Sequence, residues 1–167
     1  EPAPETPAPQ MTSSGGADSA PTAINDADGF KNMVAGGSYK LAADITVTEP
    51  YAYDFSGTFD GDGHTVTLNI TASTPNVGLF SKLAGGAVVK NVITAGSVTA
   101  TGKNNVGGIA GTADGNVTIE NCKNTASIKG GKGAGGILGY SEPGSGFVTI
   151  SSCANMGSVS GTRKQVG

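Results

Sequence analysis

A repeated pattern between residues 105 and 159 limits the folds open to this chain more than any other feature of its sequence. Each copy holds a glycine-rich segment, then alternating valine, threonine and isoleucine, and then a cysteine. The two copies are displaced by 28 residues at the glycines and by 31 at the cysteines. The matching segments are 105–111 with 133–139, 117–122 with 148–153, and 126–128 with 157–159. A weaker copy starts at Asn76 and another at Gln165, so the sequence predicts a repeat architecture.

The apolar residues within each copy alternate with polar ones. Val117 and Ile119 point to one side of a pleated strand, and Thr118 and Glu120 point to the other. Three such strands per copy, separated by tight turns, make one coil of a parallel β-helix. We therefore predict an all-β fold, a right-handed parallel β-helix (solenoid) with about 30 residues per coil. Successive coils are expected about 4.8 Å apart.

Stacked coils place equivalent residues above one another. The expected inward columns are Val92, Cys122 and Cys153, then Val89, Ile119 and Ile150, and then Val98, Ile128 and Val159. Asn124 and Asn155 occupy one corner, where asparagine tolerates the left-handed conformation. On the outside, Lys90 is predicted to lie over Glu120.

The N-terminal part of the chain differs from the repeats. Residues 1–24 are rich in Pro, Ala and Ser and are predicted to form a linker or tail. Residues 25–167 are assigned to the β-helix domain, with a short capping helix within 25–35. Asp26 is its expected N-cap, and Phe30, Met33 and Val34 are expected to share one face. The expected strands that follow are 39–41, 45–47, 55–59 and 65–70.

Composition excludes several classes of partner. The 28 glycines suit a fold made largely of corners, and the net charge of −3 argues against nucleic acid. No apolar run approaches the roughly 18 residues that a membrane-spanning helix needs, so membrane insertion is not expected.

The chain begins at Glu1, and its repeat stops within a copy. These features predict a piece of a longer exported protein, truncated at its C-terminal end.

The two cysteines leave two interpretations open. Cys122 and Cys153 fall in neighbouring coils, at a separation compatible with a disulfide. Two buried thiols acting as small apolar side chains are the alternative.

The segment 60–64 gathers the polar groups that most resemble a metal site. Asp60 and Asp62 offer two carboxylates next to His64, but a calcium loop of the EF-hand type needs a closing Glu where Thr71 stands. A tight turn is the favoured interpretation, with Asp60 and Asp62 as a weak metal candidate. No cofactor is expected.

Catalysis is not expected either. The acids Asp114, Glu120 and Glu142 fall at unequal positions in their copies, whereas paired-carboxylate chemistry needs them to converge. Three tyrosines could instead stack on sugars, since tyrosine combines a flat apolar ring with a polar tip. The candidate ligand-binding residues are Tyr51, Tyr53 and Tyr140.

The glycine-rich segments at 106–111 and 135–139 resemble the GLUG motif, and the stretch 55–66 looks like the lead-in that precedes it. The resemblance covers residues 30–167 and implies a secreted or cell-surface bacterial protein with no catalytic residues of its own. The expected function is a structural or adhesive segment, a rigid stalk or binding surface that meets a host or cell-wall glycan or protein. The alternatives are a carbohydrate-binding module and an extracellular filament subunit, a homo-oligomer that stacks through its open coil ends.

Overall fold

A computed structural model describes residues 19–144 and 146–162. These residues form a short helix, α1 (Ala27–Lys31), and a series of short strands. The strands are β1 (Thr22–Ile24), β2 (Ser38–Leu41), β3 (Ile45–Val47), β4 (Tyr51–Phe55), β5 (Thr58–Asp60), β6 (Thr65–Thr71), β7 (Phe80–Leu83), β8 (Val88–Lys90), β9 (Ile93–Thr99), β10 (Val106–Gly107), β11 (Ala110–Ala113), β12 (Val117–Glu120), β13 (Lys123–Asn124), β14 (Ser127–Gly130), β15 (Ala134–Gly135), β16 (Leu138–Ser141), β17 (Val148–Ser151), β18 (Ala154–Asn155) and β19 (Val159–Gly161). Most of the predicted linker and the copy that starts at Gln165 lie outside the described residues.

The strands stack into parallel sheets that run along a common axis. One sheet has the order β1-β2-β5-β8-β12-β17, and a second has the order β4-β7-β11-β16. A third sheet contains β3, β6 and β9 in that order. Both β13 and β14 pair with β9, and they pair in turn with β18 and β19. A small fourth sheet pairs β10 with β15. The pairs are parallel. This is a parallel β-solenoid of about four turns with about 29 residues per turn, as predicted; its right hand stays a prediction.

The register confirms two of the expected core columns directly. Ile119 pairs with Val89 on one side and with Ile150 on the other. Ile128 lies in the same way between Val98 and Val159. The coil length is not uniform, because Tyr39 pairs with Phe59 only 20 residues later, whereas later partners in the same sheet are 30 or 31 residues apart. The repeat therefore describes the later coils better than the first.

The predicted single strand 55–59 is wrong. β4 ends at Phe55 and β5 begins at Thr58, with a corner at Ser56 and Gly57 between them. A Cβ atom at Gly57 would overlap the backbone carbonyl of Gly37. The corner thus needs the close approach of two backbones that glycine permits, and alternating hydrophobicity does not reveal it. β1 likewise lies within the stretch assigned to the linker, because Thr22–Ile24 pairs with β2.

Helix α1 starts where the sequence predicts and ends earlier. The Asp26 carboxylate accepts a hydrogen bond from the Gly29 amide at 2.8 Å, as an N-cap does. Phe30 and Met33 are buried, but Val34 is 70% exposed. The expectation that Val34 shares their face is wrong because the helix ends at Lys31, before its period reaches that residue. No helix among the described residues has the length and hydropathy to span a membrane.

Phe30 of α1 and four aromatic rings of the first coils form one cluster. The Phe30 ring lies 5.7 Å from the Phe59 ring and 5.7 Å from the Phe80 ring, in edge-on arrangements. Phe80 also lies 4.9 Å from Phe55 and 5.9 Å from Tyr51. Edge-on and offset aromatic pairs contribute beyond the burial of their area. Helix α1 is therefore attached to the solenoid through the Phe30 ring.

Asparagines turn several corners, but not the ones expected. The left-handed residues include Asn76, Asn91, Asn105 and Asn121, with φ between 50° and 61°. Their side chains bond between coils, from Asn121 to Asn91 at 2.7 Å and from Asn105 to Asn76 at 2.8 Å. In each such bond, the side-chain amide of the asparagine at one corner donates to the side-chain oxygen of the equivalent asparagine one coil earlier. Asn124 and Asn155 stack as predicted, yet they lie in the strands β13 and β18.

The repeated glycines mark places where one coil lies against the next. A Cβ atom at Gly111 would lie 2.4 Å from the backbone nitrogen of Val77. One at Gly108 would lie 2.3 Å from the carbonyl oxygen of Gly136. Real Cβ atoms do not approach backbone so closely, so the glycine-rich motif follows from the contact between coils.

Candidate functional site

The Asp60–His64 segment forms a turn. Asp62 and Gly63 have φ of 50° and 78°, and the Asp60 carboxylate accepts a hydrogen bond from the Asp62 amide at 2.8 Å. Lysines face both carboxylates, with Lys40 3.3 Å from Asp62 and Lys90 3.9 Å from Asp60. Lys90 is in register with Glu120, as expected, although the ion pair is with Asp60. Among the described residues, no group of three or more His, Cys, Asp or Glu is arranged to hold a metal ion.

His64 joins two neighbouring coils. Its Nδ1 atom lies 3.2 Å from the Asp44 carboxylate, which also accepts a hydrogen bond from the Thr65 amide at 2.9 Å. These two hydrogen bonds, the Thr65 amide first, hold the pKa of Asp44 below its ordinary value. The contact ties the start of β3 to the start of β6, a structural role.

A chain of charges crosses the outer face of the sheet β4-β7-β11-β16. The Lys82 ammonium lies 3.3 Å from Asp114 and 3.8 Å from Asp54. The hydrogen bond to Asp114 is the main reason that the pKa of Lys82 is raised. Exposed pairs of this kind contribute little stability. They do make the lateral face polar along several coils.

The three candidate tyrosines do not form one platform. Tyr51 is only 2% exposed, and its hydroxyl donates to the Met33 carbonyl at 2.9 Å. Burial is the main reason that its pKa is raised. Tyr53 is 67% exposed, although its ring lies 5.8 Å from the Tyr51 ring in an edge-on arrangement. Tyr140 is exposed on β16, at the opposite edge of the sheet from β4, which carries Tyr53.

Tyr53 borders a cleft between α1 and the segment that joins β3 to β4. The cleft has a volume of about 340 Å³. Phe30 and Tyr51 form its apolar floor, and Lys31 and Glu49, 3.8 Å apart, lie at its rim. It is large enough for one small ligand.

The most distinctive surface is the end of the solenoid formed by β15 to β19, which we call the last coil. We define its open core face as the side chains that continue the core columns there: Ile137, Leu138, Val148, Ile150, Cys153 and Val159. Ile150 is 46% exposed, whereas its partner Ile119 one coil earlier is 0% exposed. Val159 is 39% exposed and its partner Ile128 is 0% exposed. Apolar core residues are thus buried where a coil lies on each side of them, and exposed where the described residues place a coil on one side only.

The strands at this end form a sheet edge, which carries backbone and side-chain polar groups. In the described part of the chain, β16, β17, β18 and β19 are each paired on one side. The Asn155 carboxamide accepts a hydrogen bond from Asn124 at 2.7 Å and donates to the Gly157 carbonyl at 2.9 Å. An exposed parallel edge with an apolar interior is a template for further β-pairing.

The last coil also has apolar residues on its lateral surface that sequence reasoning missed. Phe147 is 83% exposed and Met156 is 70% exposed. The equivalent residues one coil earlier are the polar Asn116 and Thr125, both exposed. The signal was available in the aligned copies, as a change from polar to apolar at outward positions. Single exposed apolar residues of this kind are common on protein surfaces and do not by themselves mark a binding site.

The two cysteines lie at this end as well. Both thiols are free, with Cys122 buried and Cys153 half-buried. The Cys122 amide donates a hydrogen bond to the Cys153 sulfur at 3.5 Å. The structure therefore brings them together as the repeat predicts.

Comparison with known proteins finds a similarity over part of the chain. It is 36% identical over 126 residues to halomucin of the archaeon Haloquadratum walsbyi. The alignment covers 63% of this chain and about 1% of the length of halomucin. No family model matches the chain, and no solved structure matches it. The resemblance to the GLUG motif therefore stays a prediction.

Proposed function

We propose that this chain is a non-catalytic structural segment of a cell-surface or secreted protein, in which the solenoid acts as a stiff rod or binding surface. The observation that carries the proposal is the continuous stack of parallel ladders in which core positions recur from coil to coil. Because each coil rests on the one before it, bending the rod would break ladders along its length. The likeness to halomucin supports a location outside the cell or on its surface.

The lateral faces suit adhesion to an extracellular glycan or protein. They carry short polar side chains and the alternating charges around Lys82. The resemblance of the glycine-rich repeats to the GLUG motif supports attachment to a cell wall. Neither feature requires a cofactor.

Localisation of the parent protein tests this proposal. We expect antibodies raised against the folded chain to label intact cells of the source organism or to recover the protein from the culture medium. Cells that lack the coding segment are the control, and permeabilisation should add no further signal. Labelling that appears only after permeabilisation would contradict the proposal.

A second candidate function, end-on self-assembly, is favoured by the exposed open core face. Two copies that meet at their last coils would cover Ile150 and Val159, which are partly exposed in one copy. Burying apolar area provides about 25 cal/mol per Å² before the cost of association is subtracted.

Replacing Ile150 by aspartate should weaken such association at least about tenfold, because a charge would have to be buried in the contact. The measurement is sedimentation velocity over a range of protein concentrations. Thr149→Asp is the matched control, since Thr149 is exposed on the same strand and points to the lateral surface. A wild-type chain that stays monomeric at high concentration would end this candidate.

A further inference from the structure

Cys122 and Cys153 occupy the same position in successive coils. The register is continuous on both sides of them, since Glu120 pairs with Ser151 and Lys123 pairs with Ala154. Neighbouring parallel strands lie about 4.8 Å apart. That spacing falls within the range of about 4.4–6.8 Å that a disulfide requires between Cα atoms.

The two thiols also have the same local geometry. The Cys122 sulfur lies 3.3 Å from the Glu120 carbonyl oxygen, and the Cys153 sulfur lies 3.2 Å from the Ser151 carbonyl oxygen. Each also approaches a carbonyl of the preceding coil, Val89 for Cys122 and Ile119 for Cys153. The side chains are therefore parallel and stacked, and joining the sulfurs requires both side chains to rotate toward each other and to give up these weak thiol hydrogen bonds.

We propose that Cys122 and Cys153 form an intramolecular disulfide that fastens the last coil to the coil before it. The pair lies where such a bond has a use, because the last coil is supported on one side among the described residues and has an exposed core face. The bond would hold the strand edge of β17 and β18 against fraying. This inference rests on the geometry of the two coils and not on the proposed function.

The oxidant is a low-molecular-weight disulfide such as oxidised glutathione. The half-buried Cys153 is the accessible thiol, and its thiolate attacks one sulfur of the oxidant, breaking that S–S bond and releasing one glutathione thiol. The Cys122 sulfur then attacks the Cys153 sulfur and breaks its bond to glutathione, and the proton of the Cys122 thiol passes to the departing sulfur, which leaves as the second glutathione thiol. Two protein thiols are oxidised and one glutathione disulfide is reduced to two thiols.

The order of attack follows from burial. Cys122 is 1% exposed, and burial raises the pKa of its thiol to about 12. A thiol that is almost fully protonated reacts slowly with a dissolved oxidant. Cys122 therefore enters as the second nucleophile, when the Cys153 sulfur already lies beside it.

The test is oxidation of the native full chain by glutathione disulfide, followed by intact-mass and peptide mass spectrometry without reduction. We expect a monomer that has lost two hydrogens, with the peptides of Cys122 and Cys153 linked. The cross-link closes a loop of about 30 residues, so the thermal midpoint should rise by about 5–15 °C. Amide exchange in β17 and β18 should slow by about tenfold or more.

Cys122→Ser and Cys153→Ser are the matched controls. The first variant should keep a stable glutathione adduct at Cys153, and the second should react slowly or not at all. The proposal is overturned if the wild-type chain retains the adduct, links two chains, or stays reduced while folded. A linked product with unchanged or faster exchange in β17 would also overturn it, because the bond would then not fasten the coil.

Discussion

Replacing Phe80 by alanine is expected to lower the free energy of unfolding by about 3–5 kcal/mol. Phe80 is 0% exposed and lies at the centre of the aromatic cluster, with the rings of Phe30, Phe55, Phe59 and Tyr51 within 6 Å. Its removal leaves a cavity among rigid rings that relax little and loosens the contact that holds α1. Equilibrium denaturation by urea, followed by circular dichroism, measures the change.

The matched control for this prediction is Phe147→Ala. Phe147 is 83% exposed in the last coil, so its loss should change the free energy of unfolding by no more than about 0.5 kcal/mol. The comparison separates burial from the loss of an aromatic ring as such. Equal effects of the two substitutions would show that Phe80 does not occupy a packed core.

The substitution Asn124→Ala is expected to destabilise the chain by about 2–4 kcal/mol. The Asn124 carboxamide is buried, accepts hydrogen bonds from the Thr94 hydroxyl at 2.7 Å and the Ala126 amide at 3.1 Å, and donates to Asn155 at 2.7 Å. It also donates to the Ala126 carbonyl at 3.0 Å. Alanine would leave these buried groups without partners, and buried polar groups that lose their partners are costly.

Asn155→Ala is the control, because the same side chain one coil later is exposed. The substitution removes one of the four hydrogen bonds of Asn124, and water can reach that position from the exposed side, so we expect a smaller change of about 1 kcal/mol. Thermal and urea denaturation of both variants provide the measurement. A substitution at Asn155 as damaging as the one at Asn124 would contradict the idea that burial determines the effect.

The parallel solenoid could be predicted because one pattern, the recurrence of apolar residues at the coil length, determines both the sequence repeat and the register of the strands. Once residues such as Val89, Ile119 and Ile150 recur at the coil length, stacking buries them all together, and any slip by one residue would turn them outward. The strand Ile45–Val47 was predicted with its observed bounds for the same reason, since both its apolar ends face the core.

The corners were harder to predict. Asn121 adopts φ of 50° and Asn124 lies in a strand, although the two residues are three positions apart and chemically identical. Which of them turns the chain depends on where the neighbouring coil offers a hydrogen-bond partner, here Asn91 for Asn121. A single copy of the repeat does not contain that information.

The candidate surface was anticipated only in part. The stacking of Cys122 and Cys153 followed from the repeat. The different burial of Tyr51 and Tyr53 did not, because the register of β4 shifts between Tyr51 and Asp54, so that one ring lies in the core and the other, 5.8 Å away, is exposed.

The sequence by itself determined that this chain coils, how the later coils align and which apolar columns form the core. Those properties follow from the periodic pattern of apolar side chains, which can be read from each short segment and from its repetition along the chain. The tertiary structure alone decided how Phe30 attaches α1 to the first coils, which asparagines take the left-handed conformation, and that Ile150 is exposed while Ile119 is buried. These outcomes depend on whether another coil lies against a given residue, and contacts between residues distant in sequence decide that.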